Sequence, residues 1–396
     1  LADKVGRRPM MLVAAILFLI SAWGSGIAGS VLQFVIYRLI GGLAIGAASV
    51  LAPAYISEIS PAPIRGRLAS LQQLAIVLGI LAAFFSNYLI ARASGGAMER
   101  WLGGYAAWSW MFWAGCIPAG LYLLLLLLVP ESPRYLVACG KEERAAKVLS
   151  RVWGSEGLDN ELALIRSTVQ RTHKPRLSDL LTSGKLLPIV WIGIGLSVFQ
   201  QFVGINVVFY YGAVLWQAAG FSESHALLIN VLSGAVNIVA TLLAIATIDR
   251  AGRKPLLLVG SAGMFVSLGV LAVLFAMAGQ AADGSLLLGR AAAIGALVAA
   301  HLYILFFAFS WGPVVWVLLG EIFSNRIRGT ALAVAASAQW VANFVITMTF
   351  PMLLASIGLG GAYGVYTLCA LLSFFFVQKW IKETKGKTLE QISAQD

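Results

Sequence analysis

Charged side chains are scarce in this sequence. Of its 396 residues only 11% are Asp, Glu, Lys or Arg, whereas 60% are hydrophobic. An average soluble domain carries about 25% charged residues. A soluble protein of this composition would leave large apolar surfaces facing water. The shortage of charge therefore excludes a soluble globular protein and indicates a membrane protein that has the lipid bilayer as its solvent.

Cysteine is also rare, and the uncharged stretches lack paired catalytic groups. Cys116, Cys139 and Cys369 lie far apart, with neither metal-ligand spacing nor a disulfide framework, so we expect no cofactor and no metal. The uncharged stretches hold no acid pair and no nucleophile beside a base, so we expect no enzyme. The net charge of +11 is confined to short segments between apolar stretches, which argues against a nucleic-acid partner.

The long uncharged stretches predict an all-α membrane protein. A helix needs about 20 largely apolar residues to cross a bilayer. The stretches without Asp, Glu, Lys or Arg that approach or exceed this length are 9–37, 39–57, 68–91, 101–130, 186–222, 224–248, 255–282, 291–320 and 329–378. The last covers 50 residues and has a turn signal at 356–361, so it predicts two spans. The sequence thus predicts ten transmembrane helices.

The basic residues predict how these spans are oriented. With ten spans, both termini lie on one side of the membrane. The segments on that side hold 24 of the 28 Lys and Arg residues, the other side holds three, and Arg38 lies within a span. By the positive-inside rule both termini are cytoplasmic. We expect a monomeric, multi-pass protein of the plasma membrane, which is the inner membrane in a bacterium.

Three charged motifs occur twice, in the same order and on the same predicted face of the membrane. The first copy comprises Asp3 with Arg7, Glu58 with Arg65, and Glu131 with Arg134; the second comprises Asp249 with Arg253, Glu321 with Arg328, and Glu383. Such ordered repetition predicts two homologous halves. Carboxylates and arginines at helix ends can form bidentate pairs that hold one conformation and release another. We interpret the motifs as a gating latch; ordinary interfacial anchoring is the alternative.

The sequence resembles the sugar porters of the major facilitator superfamily. The resemblance covers essentially the whole chain and is closest to bacterial D-xylose/proton symporters, with similarity to the facilitative glucose transporters. Its motifs are the two Asp-x-x-Gly-Arg-Arg/Lys loops, Pro130-Glu-Ser-Pro-Arg134, Gln200-Gln-Phe-Val-Gly-Ile-Asn206 and Glu383-Thr-Lys-Gly-Lys-Thr-Leu-Glu390. The resemblance implies the major facilitator fold, with two pseudo-symmetric helical halves of six spans each around a midplane substrate site.

On this fold the chain would hold ten of the family's twelve helices. Residues 1–130 would form an amino-terminal half with family helices 3–6, and residues 131–185 a cytoplasmic helical linker. Residues 186–381 would form a carboxy-terminal half with family helices 7–12, followed by a cytoplasmic tail at 382–396. Because the chain begins inside the motif that follows the family's second helix, we interpret it as an amino-terminal truncation that lacks the first two helices.

The polar side chains of the predicted spans are amides and indoles, with no Asp or Glu, which suits an uncharged sugar. Gln200, Gln201 and Gly204 share one face of a helix, whereas Asn206 and Tyr210 share another, about 240° away. Both sets can face one sugar only if the helix unwinds between them, and Gly204 permits this. We therefore predict a discontinuous helix here, and a second kink at 310–313, before Trp316.

The resemblance matches several of these residues to sugar contacts. The matching positions are Gln73, Gln200, Gln201, Asn206, Asn237, Trp316 and Gln339; we add Tyr210, Trp340 and Asn343, which share a face or a turn with them. Ile80 stands where the xylose symporter has glutamine and the glucose facilitators have isoleucine, so D-xylose and a hexose such as glucose both stay open. Helix–helix hydrogen bonding is the alternative role of each polar group.

Arg38, the one charged residue within a predicted span, is a candidate for proton coupling. It is similar to a family arginine that pairs with an aspartate of the first helix in proton-coupled members. We therefore expect monosaccharide transport by alternating access with protons as the coupled ion. The alternatives are a facilitative sugar uniporter and a non-transporting sugar sensor, which the short tail after the last span disfavours.

Overall fold

The computed structural model describes residues 2–60, 65–153, 162–163, 165–167, 177–182, 184–280, 286–323 and 327–385. Within these ranges the chain is mostly helical. It divides into two compact units, residues 1–173 and residues 174–396. The division falls inside the linker that the sequence predicts, and the finer domain boundaries stay predictions.

The amino-terminal unit is built from two long helices that run antiparallel after a tight turn, followed by further helices. Its described helices are α1 (Ala2–Val5), α2 (Arg7–Ile27), α3 (Val31–Ile59), α4 (Arg65–Ser94), α5 (Ala107–Ala114), α6 (Cys116–Leu128), α7 (Pro133–Ala138) and α8 (Glu142–Trp153), with a 3₁₀ helix at Leu102–Gly104. Ser30 ends the turn between α2 and α3, because its hydroxyl accepts the Gln33 backbone N–H at 3.3 Å as an N-cap.

The spans of the carboxy-terminal unit are more often interrupted. Its described elements are a 3₁₀ helix (Leu177–Leu180), β1 (Leu181–Thr182), β2 (Lys185–Leu186), α9 (Pro188–Phe202), α10 (Ile205–Tyr210), α11 (Gly212–Ala218), α12 (Glu223–Ala251), α13 (Arg253–Ala276), β3 (Gly279–Gln280), β4 (Leu286–Leu287), α14 (Arg290–Phe309), α15 (Trp311–Ile322) and α16 (Arg328–Trp380). β1 pairs antiparallel with β2, and β3 with β4. Both pairs are short hairpins between helices.

Nine segments among the described residues are long and apolar enough to cross a membrane. The sequence predicts ten, and that count stays a prediction. The difference lies in α16, which is 53 residues long and far exceeds the roughly 20 residues of one span. It is interrupted at Gly358, whose φ of 69° and ψ of 178° are not helical. This break falls inside the turn signal at 356–361.

Small residues allow the helices of the carboxy-terminal unit to approach closely. α13 packs along both α14 and α16. Gly260 of α13 lies directly against the Ser310 hydroxyl, with no room for a Cβ atom. Small residues at helix contacts are typical of membrane helices, which associate by close packing. The core that results is centred on Tyr303, Trp311, Phe350 and other fully buried side chains.

In the described part of the predicted linker, α7, α8 and the 3₁₀ helix at Leu177–Leu180 are followed by the β1–β2 hairpin, so this segment is helical only in part and its role as a cytoplasmic linker stays a prediction. α7 and α8 enclose a small apolar cluster of Leu136, Val137 and Ala145. Arg166 forms an ion pair with Glu142 beside this cluster.

Candidate functional site

The first span of the carboxy-terminal unit is interrupted where the sequence predicts. α9 ends at Phe202 and α10 begins at Ile205. Between them Gly204 has a φ of 88°, in the left-handed region that favours glycine. A Cβ on Gly204 would also lie 2.8 Å from the ring of Tyr366. Both the backbone angle and the lack of space therefore require glycine at this position. The predicted discontinuous helix is confirmed.

The break joins two polar groups that a regular helix would separate. The Asn206 side-chain amide donates to Gln201 Oε1 and also to Asn343 Oδ1, the latter at 2.9 Å. Gln201 and Asn343 are buried, with 5% and 8% of their surfaces exposed. Three amides from α9, α10 and α16 therefore form one chain of hydrogen bonds.

A second break brings Gln200 into the same region. α14 ends at Phe309 and α15 begins at Trp311, with Ser310 at non-helical angles between them. The Gln200 side-chain N–H group donates to the carbonyls of Trp311 at 2.9 Å and Gly312 at 3.3 Å. The kink predicted at 310–313 is confirmed, and Gln200 binds the backbone exposed beside it.

Some buried acceptors of this unit have no hydrogen-bond partner among the described residues. They include Gln200 Oε1, Gln339 Oε1 and the hydroxyl oxygen of Tyr366. A buried polar atom without a partner costs about 1–3 kcal/mol, so such atoms are rare unless a ligand or water completes them. Two of the three belong to predicted sugar-contacting residues. Hydroxyl donors of a sugar would supply the missing partners of Gln200 and Gln339.

The remaining predicted contacts of this unit lie in different environments. Asn237 of α12 is buried, with 6% of its surface exposed. Trp316 of α15, Trp340 of α16 and Tyr210 at the end of α10 are exposed by 42%, 44% and 62%. The structure thus joins Gln201, Asn206 and Asn343 directly and leaves the three aromatic residues on the surface of the unit. Their part in sugar binding stays a prediction.

In the amino-terminal unit, Gln73 and Ile80 lie on α4 and Arg38 on α3. Gln73 and Ile80 are half-buried, and their roles stay predictions. Arg38 is exposed, and its guanidinium carbon lies 5.5 Å from the ring centroid of Phe112, a cation–π contact. No carboxylate among the described residues pairs with Arg38, so its role in proton coupling also stays a prediction.

A network of charged residues lies at one end of the amino-terminal unit. Arg7 donates from Nε and Nη2 to the two carboxylate oxygens of Glu58, at 3.1 and 3.0 Å. Glu131 accepts the backbone N–H groups of Arg7 and Ser132, at 2.9 and 2.8 Å, and that of Arg8. The Ser132 hydroxyl donates to Glu58 and links the two carboxylates. The arginine is thus fixed at both its side chain and its backbone.

The carboxy-terminal unit contains the same network. Arg253 donates to both carboxylate oxygens of Glu321, at 3.2 and 2.7 Å. Glu383 accepts the backbone N–H of Arg253 at 3.0 Å, and the Thr384 hydroxyl donates to Glu321 at 2.6 Å. Each group of the first network has a counterpart here, which confirms the repeat that the motifs predict. Glu131 and Glu383 are equivalent even though their sequence motifs match only loosely.

Comparison with known proteins agrees with this architecture. The family model described as "Sugar (and other) transporter" matches residues 1–395. The chain belongs to this sugar transporter family. It is 56% identical over 394 residues to the glucose transport protein of Synechocystis sp., covering 99% of this chain and 84% of that protein. It is 41% identical to the D-xylose-proton symporter of Escherichia coli, covering 99% and 81%.

A solved structure shows the same fold. The inward-open xylose transporter of Escherichia coli aligns with a TM-score of 0.82 and 39% identity, over 100% of this chain and 84% of that chain. The sugar transporter family is thus supported by both sequence and fold. One expectation needs correction: the resemblance is not closest to D-xylose/proton symporters, since the identity to a glucose transport protein is higher.

In this sugar transporter the charged networks depend on two glycines. Gly6 and Gly252 precede the arginines with φ values of 110° and 90°. A Cβ on either glycine would collide with the carboxylate of Glu131 or Glu383. The glycine of the family's loop motif therefore lets a carboxylate reach the first backbone N–H groups of the next helix, where the helix dipole also favours a negative charge.

The carboxylate at the end of the second network is stabilised in its charged form. Burial raises the pKa of Glu383, but four hydrogen bonds from backbone N–H groups more than offset this, so the pKa lies below its usual range. The donors are Arg253, Lys254, Thr384 and Lys385. A carboxylate that accepts several N–H groups is typically held ionised.

The other predicted latch residues have separate positions. Arg328 donates from Nε and Nη2 to the Phe323 carbonyl, at 3.2 and 3.1 Å, and Arg134 is half-buried on α7. The side chains of Asp3, Arg65 and Asp249 lie outside the described residues.

The motifs did not indicate two further features of the networks. Ser132 and Thr384 link the carboxylates, and Arg8 and Lys254 donate to carbonyls near the ends of α6 and α16. The hydroxyls follow Glu131 and Glu383 directly, so comparison of the two copies could have revealed them.

Proposed function

We propose that this protein carries a monosaccharide across the membrane by alternating access, as a proton symporter. The observation that supports this most is the uncharged amide cluster at the break between α9 and α10. Gln201, Asn206 and Asn343 offer donors and acceptors in a buried setting, which suits the hydroxyl groups of a sugar. Broken membrane helices with exposed polar groups are typical substrate sites in transporters.

We propose D-glucose as the first sugar and D-xylose as the second. The relative with 56% identity is named a glucose transport protein, and the one with 41% identity a D-xylose-proton symporter. Ile80 agrees with a hexose, because an aliphatic side chain at this position is the pattern of the glucose facilitators, whereas the xylose symporter has glutamine.

We propose proton symport because one relative is named a proton symporter and because Arg38 is the one charged residue within a predicted span. An acid that pairs with Arg38 when deprotonated and releases it when protonated would couple protons to the transport cycle. Facilitative uniport is the second candidate, favoured by the lack of any carboxylate beside Arg38 among the described residues.

We propose that the charged networks act as latches at the cytoplasmic ends of the helices, in a monomer with both termini in the cytoplasm. Bidentate arginine–carboxylate pairs are strong but reversible. Both ion pairs are mostly shielded from solvent, with side-chain exposures of 14% and 10% for Arg7 and Glu58, and 12% and 25% for Arg253 and Glu321. Partial burial makes such pairs worth more than ordinary surface pairs.

Counterflow in liposomes tests the proposal. Purified protein would be reconstituted in vesicles loaded with unlabelled D-glucose or D-xylose, and uptake of the labelled sugar measured. We expect counterflow of at least one sugar and its loss in Asn206→Ala. Asn230→Ala, which removes another buried amide outside the predicted site, is the matched control and should retain it. Binding of both sugars without counterflow would refute transport.

An imposed proton gradient in the same vesicles separates symport from uniport. A symporter concentrates sugar above its external level when the inside is more alkaline than the outside. A uniporter only equilibrates the sugar. Accumulation that is abolished by a protonophore would support symport, and equilibration alone would replace it with uniport.

A further inference from the structure

The break between α9 and α10 leaves a buried backbone carbonyl that needs a partner. In a continuous helix the carbonyl of Val203 would accept the N–H of Val207. No backbone N–H among the described residues donates to it, because the backbone leaves the right-handed helical conformation at Gly204. Val203 is fully buried. A buried carbonyl without a partner would make the break costly.

A tyrosine of another helix supplies the missing donor. The Tyr303 hydroxyl of α14 donates to the Val203 carbonyl at 2.7 Å, and Tyr303 is itself fully buried. A donor–acceptor distance of 2.7 Å is typical of a good hydrogen bond from a hydroxyl to a carbonyl. Such a bond is worth more inside a low-dielectric protein core than in water.

The two broken spans thus stabilise each other in both directions. Tyr303, which precedes the break at Ser310, binds the open carbonyl at the break beside Gly204. Gln200, which precedes the break at Gly204, binds the carbonyls of Trp311 and Gly312 beyond the break at Ser310. A shift of α9 against α14 and α15 together would strain both sets of bonds.

We propose that Tyr303 is a positioning residue for the sugar. By fixing the Val203 carbonyl it sets the angle between α9 and α10, and therefore the distance between the Gln200–Gln201 pair and Asn206. It acts through the backbone and does not contact the sugar. This inference rests on the proposed function only in naming sugar as the ligand; the role at the break is independent of it.

The unit offers a matched control in Tyr366. It is as buried as Tyr303, at 1% against 0% exposed, and its ring packs against Gly204 at the same break. Its hydroxyl, however, has no hydrogen-bond partner among the described residues. Tyr303→Phe and Tyr366→Phe therefore remove the same atom from similar surroundings, but only the first removes a hydrogen bond.

Two measurements on the full-length chain in detergent test the inference. The first is binding of D-glucose and D-xylose, followed by tryptophan fluorescence. We expect Kd to rise about tenfold in Tyr303→Phe and to change less than about twofold in Tyr366→Phe. An unchanged Kd in Tyr303→Phe, or an equal loss in both variants, would overturn the proposal.

The second measurement is hydrogen exchange of the backbone amides at 199–208, without sugar. We expect faster exchange in Tyr303→Phe alone, because only this variant frees the break. Exchange as slow as in the wild type would overturn the proposal. If the wild type binds neither sugar, the proposed function fails, whereas this measurement still decides whether Tyr303 fixes the break.

Discussion

Arg7 and Glu58 in the amino-terminal unit form the same bidentate pair as Arg253 and Glu321 in the carboxy-terminal unit. The spans attached to these networks differ much more. The helix that carries Glu58, α3, runs unbroken from Val31 to Ile59, whereas the span that carries Glu321 is broken at Ser310 into α14 and α15. Sites at helix ends are thus nearly duplicated, while the interiors of the two units have diverged.

The difference has a physical basis. Each network needs a glycine with positive φ, a carboxylate that accepts the first N–H groups of the helix, and an arginine long enough to reach the second carboxylate. Changing one of the charged members leaves a partly buried charge without its partner. A span facing lipid needs only apolar side chains of suitable length. A span that binds a polar ligand needs breaks and buried amides. The four predictions below test these differences in order of expected effect.

The largest effect is expected from Gly204→Ala, which alters the break between α9 and α10 of the carboxy-terminal unit. The alanine would have to adopt a left-handed backbone conformation, and its Cβ would collide with the ring of Tyr366. We expect a loss of about 2–5 kcal/mol of stability and no sugar counterflow. Gly269→Ala is the control: its Cβ would only touch Thr367 at an ordinary 3.6 Å, so thermal stability should be unchanged or higher. Wild-type counterflow in Gly204→Ala would contradict the requirement for a break.

The two ion pairs should respond alike to Arg7→Lys and Arg253→Lys. Lysine keeps the charge but cannot donate two parallel hydrogen bonds to one carboxylate. We expect each variant to lose about 1.5–3 kcal/mol of stability. The transport rate should change and sugar affinity should stay close to that of the wild type. Thermal unfolding and counterflow, measured together, check this. A large effect in one unit only would show that the networks are equivalent in geometry but not in function.

Much of this comparison was accessible from the sequence. The 240° separation of Gln200 from Asn206 predicted the break, and the repeated motifs predicted the paired networks. Tyr303 was not predicted, since a single tyrosine in an apolar run does not reveal which distant carbonyl it reaches. The exposure of Tyr210 was missed for a similar reason: it shares a regular-helix face with Asn206, but α10 ends at Tyr210 itself. Periodicity predicts local faces, whereas tertiary hydrogen bonds depend on how helices meet.

The second network should show a pH dependence through Glu383. Its pKa is lowered in the folded protein, so the charged carboxylate stabilises the fold at pH values above the ordinary glutamate pKa of about 4.3. That stabilisation is lost as the pH falls through the lowered pKa. Thermal unfolding of the wild type and Glu383→Gln should therefore differ by a constant amount at neutral pH and converge in acid. A difference that grows as the pH falls would contradict the assignment.

The smallest effect is expected from the hydroxyls that link the carboxylates. Ser132→Ala and Thr384→Ala each remove one hydrogen bond to a glutamate that keeps its arginine. We expect a loss of about 1 kcal/mol in each. Thr384→Ser keeps the hydroxyl and should restore most of the stability lost in Thr384→Ala, which separates the hydrogen bond from the packing of the methyl group. If both alanine variants unfold like the wild type, the hydroxyls add nothing, and the equivalence of the two units reduces to their arginines, carboxylates and glycines.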